Sequence, residues 1–217
     1  MKDPTMRKTT FATAGLAVLG VFIVGSVGWD AAQMAAAASP ARPATAVVQG
    51  DAQHVFLTIA TPHMLGTEVG PALMPATLSL PAHSDVTITI TNFDDATALP
   101  PGSEQYAVTE GILGPLSIQA MDPADPNAAA TTTTASRLDP ATGVSHTFTV
   151  AKLGLSIPIA PRSRTTFTFH TGAAGTFNWQ CMDPCGTGPT GWDGAMSTKG
   201  YMTGQVGVCG SGGCCCA

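Results

Sequence analysis

The sequence predicts an all-β protein, an antiparallel sandwich or barrel of short strands. Three observations predict it. Apolar and hydroxyl residues alternate with period two in several segments, as in Val86-Thr-Ile-Thr-Ile-Thr91. No helical pattern separates these segments. The chain is also rich in turn formers, with 24 Gly and 17 Pro in 217 residues.

The strand candidates follow in chain order. His54-Val-Phe-Leu-Thr-Ile59 and Thr77-Leu-Ser-Leu80 come first, then Val86–Thr91 with Val86, Ile88 and Ile90 on one face. His146-Thr-Phe-Thr-Val150 sets His146, Phe148 and Val150 in phase, and Thr165-Thr-Phe-Thr-Phe169 follows. In Thr176-Phe-Asn-Trp-Gln-Cys181 the residues Phe177, Trp179 and Cys181 share a face. The last strand runs from Tyr201 to Val208, with Met202, Val206 and Val208 in phase. The stretch 94–143 interrupts the pattern with Pro100-Pro101-Gly102 and two further Asp-Pro turn signals. It reads as an insertion at one end of the sandwich, with a short strand near Ile112.

Four regions result: a signal or anchor segment (1–30), an Ala/Pro-rich linker (31–48), the β domain (49–208) and a Cys-rich tail (209–217). In the first, Lys2, Arg7 and Lys8 precede an uncharged run from Phe11 to Trp29. A cleaved signal peptide needs an apolar core of roughly 7–15 residues and a small-residue cleavage site, for which Ala35 to Ala38 qualify. A retained transmembrane helix needs about 20 apolar residues, and the run fits that length with Trp29 at its interface end. Both readings place everything after Asp30 outside the cytoplasm. The anchored form is a single-pass membrane protein; the cleaved form is secreted.

Composition excludes some functions. A formal charge of −5 argues against nucleic-acid binding, which needs a cationic surface. Hydrophobic residues at 44% with only 11% charged argue against disorder. Phosphate-cradling GxxxxGK[ST], the GxSxG elbow and HExxH are all absent, so no catalytic residue is assigned.

What remains is a soft-ligand set. His146 opens one strand, Cys181 ends another, and Met202 opens the last. Strand parity turns His146 and Cys181 inward beside Phe148, Phe177 and Trp179. Imidazole, thiolate and thioether together favour copper over oxygen-seeking ions. This order resembles the cupredoxin superfamily of copper-binding Greek-key β-sandwiches, over about Thr77 to Val208 without the insertion. The resemblance implies that His146 enters from one strand and that Cys181 and Met202 flank the loop joining the last two. The spacing Cys181-Met-Asp-Pro-Cys185 is similar to that of the binuclear copper domain of cytochrome c oxidase subunit II. That domain has a second His three positions before its Met; here the position is Lys199, and no His follows His170.

The metal ligands expected are therefore His146, Cys181, Cys185 and Met202, with Met196 in reserve. The expected function is copper-based electron transfer to a redox partner protein or within a membrane oxidase complex. Two alternatives stand beside it: Cu(I) storage or delivery, and a metal-free interaction module with a Cys181–Cys185 disulfide. His170 is expected to face outward, and His54, His63 and His83 to lie at strand ends or turns. The tail carries Cys209 and three adjacent Cys, read as a soft-metal hook, disulfides to a partner, or an unstructured end.

Overall fold

The computed structural model describes residues 54–210 except 123 and 129. The expected anchor, the expected linker and the rest of the sequence before His54, and tail residues 211–217, lie outside the described residues. All described residues belong to Ser39–Ala217, one of two units into which the chain divides. Among them, no helix is long and apolar enough to cross a membrane.

Eleven strands form two sheets among the described residues. They are β1 (His54–Ala60), β2 (Ala72–Met74), β3 (Thr77–Pro81), β4 (Asp85–Asn92), β5 (Leu113–Ala120) and β6 (Thr132–Ala135). Then come β7 (His146–Val150), β8 (Leu155–Ile159), β9 (Ser163–His170), β10 (Gly175–Gln180) and β11 (Thr203–Cys209). One sheet has the order β2-β1-β4-β9-β5-β6, the other β3-β11-β10-β7-β8.

Period-two patterning explains the first sheet. On β4 and β9, Val86, Ile88, Ile90, Phe167 and Phe169 are buried. Between them, Thr87 pairs with Thr168 and Thr89 with Thr166, each through hydroxyls 2.8 Å apart. The apolar face is covered by the second sheet, whose Phe148 meets Phe167 at a centroid distance of 6.2 Å. Phe148 also packs on Trp179 at 5.5 Å, and both are fully buried. Each such side chain contributes about 1.5–3 kcal/mol through removal from water. The Trp179 indole N–H donates to Ala76 O at 2.8 Å, which satisfies its polar atom and ties β10 to the start of β3.

Several expectations need correction. The sheets are mixed, because β1 pairs β4 and β3 pairs β11 in parallel. The stretch 94–143 is no mere end insertion. Its β5 runs for eight residues beside β9, and β6 extends the sheet beyond it. The reason is that Leu116 and Ile118 are needed to complete the buried face. Cys181 directly follows β10, and Met202 directly precedes β11, so each lies one residue outside its expected strand. Strands β2 and β8 were not anticipated at all.

Candidate metal centre

The two sheets bring His146 and the loop after β10 to one place. His146 is the first residue of β7 and is paired with Ile159 of β8. It is fully buried. Cys181 is anchored by its N–H donating to Met202 O at 2.9 Å, and its Sγ receives the Thr147 N–H at 3.3 Å. Met182 N–H donates to Thr147 Oγ1 at 2.7 Å, closing the loop onto β7.

Cys185 returns through a tight turn. Its N–H donates to Asp183 O at 2.8 Å, and the next residue, Gly186, donates to Gly191 O at 2.8 Å. The turn tolerates no side chain at Gly191, which has φ +73° and whose added Cβ would lie 2.2 Å from Pro184 O. A bridge between Thr187 and Asp193 then delivers the 3-10 turn Gly194–Met196 back to the centre. Met202 N–H donates to Ala195 O at 3.2 Å and seals the far side.

One imidazole nitrogen and the two thiol sulfurs all lie within 4.8 Å of one another. Cys185 Sγ is 3.7 Å from Cys181 Sγ and 3.4 Å from Met196 Sδ. Both cysteines are free thiols, so the structure departs from the disulfide alternative. His146, Cys181 and Cys185 are thus brought together, and the Met196 thioether lies against Cys185. Met202 is fully buried at the same loop and holds Cys181 through its carbonyl.

The electrostatics suit a cation. Burial works against a charged His146, yet Asp94 and Cys181 outweigh it and lift its pKa from 6.5 to about 9. Burial also opposes ionisation of Cys181, but the Cys185 thiol and the neighbouring His146 imidazole hold it well below the usual thiol value. Cys185, hydrogen-bonded to Cys181 and partly buried, is pushed up. Asp183 is buried with neither carboxylate oxygen partnered, and burial with the nearby Cys181 raises it to about 7.

The donor set fits a soft metal. His146 Nδ1 is buried with no hydrogen-bond partner, while Nε2 faces Asp94 Oδ2 at 3.3 Å. A ligating His characteristically has one ring nitrogen on the metal and the other on a carboxylate. Two thiols, a thioether and an imidazole are copper-seeking donors.

Asp94 and Asp183 were missed as parts of this centre. Asp183 stood between the two Cys in plain view. Asp94 carried no local signal, being 52 residues from His146. The other histidines stay apart: His170 is exposed and meets Asp85 Oδ1 at 2.8 Å, and His54, His63 and His83 are exposed.

No family model and no curated protein matches the chain. Solved cupredoxin structures are similar to it. Auracyanin from Roseiflexus castenholzii shares 14% identity, over 74% of this chain and 99% of that one, with a TM-score of 0.31. Rusticyanin from Thiobacillus ferrooxidans shares 16%, over 75% and 80%, with a TM-score of 0.32. The metal-binding domain of the Streptococcus pneumoniae Cu(I)-exporting P-type ATPase CopA shares 10%, over 76% and 98%, with a TM-score of 0.34. These likenesses are loose, and the chemistry of the centre stands on its own side chains.

Proposed function

We propose that this protein is a cupredoxin-like copper protein that transfers electrons. The convergence of His146, Cys181 and Cys185 within 4.8 Å, in a buried pocket, carries the proposal. Copper would be held by these three with a thioether, and it would supply the one-electron chemistry. The chain's part is to keep the donors in place and exclude water. Trp179 and Phe148, fully buried and each two residues along the chain from a donor, would help to exclude water and keep solvent reorganisation small. The ligand loop also presents Trp192, 39% exposed, as an apolar point for a redox partner.

The charged start and apolar run of the first 30 residues support a setting outside the cytoplasm, with the chain anchored or exported. Anchoring would let a membrane oxidase complex serve as the partner. The Cys181–Cys185 spacing supports a binuclear site like that of oxidase subunit II, whereas Lys199 at the second-His position speaks against it.

A second reading, Cu(I) storage or delivery, is favoured by sulfur outnumbering nitrogen among the donors. Loading the full chain with Cu(II) separates the two. Intense visible absorption from thiolate-to-copper charge transfer supports electron transfer. A colourless complex formed with Cu(I) alone supports storage.

A further inference from the structure

His146 is contacted from behind by the loop that follows β4. Asp94 follows β4, and its Oδ2 lies 3.3 Å from His146 Nε2. Its side chain keeps 30% exposure, so the carboxylate closes the pocket from the solvent side.

The loop is stitched to the turn between β8 and β9. Asn92 is fully buried; its Nδ2 donates to Ala160 O at 2.9 Å, and its Oδ1 accepts the Asp94 N–H at 3.0 Å. Arg162 N–H donates to Asp94 O at 3.0 Å. The Arg162 guanidinium grips both Asp95 oxygens, at 2.5 and 2.9 Å. Arg162 sits at φ +41°, a left-handed conformation that a non-glycine residue adopts only when its contacts hold it there. The end of β8, which enters this turn, holds the histidine's strand, since Ser145 N–H donates to Ile159 O at 2.9 Å. The end of β8 and the turn that follows it therefore hold both the histidine's strand and the acid behind the ring.

We propose that Asp94 is a positioning residue of the metal centre, accepting the His146 Nε2–H so that the ring is locked with Nδ1 left for the ion. Asn92 and Arg162 hold the carboxylate in register. The role rests on the metal-centre reading, and it adds a residue and a clamp to it. A carboxylate in this place orients the ligand and raises its basicity, and outer contacts of this type are worth roughly 10–100-fold in metal affinity.

The test compares the wild-type full chain with Asp94→Ala, Asp94→Asn and Arg162→Ala. In the metal-free chain, proton NMR of the His146 ring should show an Nε2–H protected from exchange. Asp94→Ala should lose that protection, and Asp94→Asn should keep it, because its amide oxygen still accepts. Copper affinity, measured by competition with a chelator, should fall roughly 10–100-fold for Asp94→Ala and less for Asp94→Asn. Arg162→Ala should fall in the same direction by a smaller factor. Unchanged ring protection and unchanged copper affinity in Asp94→Ala would overturn the role while leaving the metal centre intact. A wild-type chain that takes up no copper would overturn the metal-centre reading and this role with it.

Discussion

Single side chains at the centre differ in what they do, and substitutions should separate them. Cys181 is the buried sulfur on which the other donors converge. Cys181→Ser should weaken copper binding beyond the roughly 100-fold that outer contacts are worth. Cys185→Ser should do the same if both sulfurs ligate; isothermal titration with copper measures each. Asp183 is the opposite case, a buried acid with no partner for either oxygen. Burial raises its pKa to about 7, so at pH 8 its ionisation opposes folding; Asp183→Asn, which cannot ionise, should stabilise the metal-free chain there by about 1–3 kcal/mol, read from urea unfolding. A loss of stability would show that the carboxylate is used.

Strands carry these residues to one pole, and their packing can be broken at a point. Gly204 of β11 lies against the Ala76 carbonyl and the Trp179 indole, and an added Cβ would fall 1.9 Å from Ala76 O and 2.5 Å from Nε1. Gly204→Ala must push β11 from β3 and disturb the indole hydrogen bond. It should destabilise by about 3 kcal/mol in urea unfolding, whereas a near-neutral result would mean the strands part easily. Strands β4 and β9 are legible in the sequence because each keeps one wet face. Thr87, Thr91, Thr166 and Thr168 mark β4 and β9 because they remain partly exposed while their neighbours are buried. β8 gives no alternation because all five of its residues are buried. β5 was hidden by Gly114-Pro115, where its register against β9 shifts. His146 and the Cys pair were legible because strand parity and close spacing are local. Asp94 was not, since only the β4–β9 pairing and the β8–β9 turn bring it to the ring.

At the scale of the whole molecule, the stretch 94–143 supplies both wall and clamp. β5 pairs along β9 from Ser163 to Thr168, which would otherwise be a bare edge, and Leu116 closes the core. Excising residues 96–142 should therefore yield a chain that aggregates, because the exposed β9 offers an unpaired edge for association. A monomeric, copper-binding product would show that the stretch is dispensable.

The joint service of one imidazole and cysteine sulfur to a single copper is the central claim. X-ray absorption at the copper edge of the loaded full chain tests it most directly. Sulfur scatterers together with an imidazole pattern, the sulfur signal falling in Cys181→Ser, are the predicted result. A first shell of oxygen and nitrogen alone, unchanged in that variant, would contradict it.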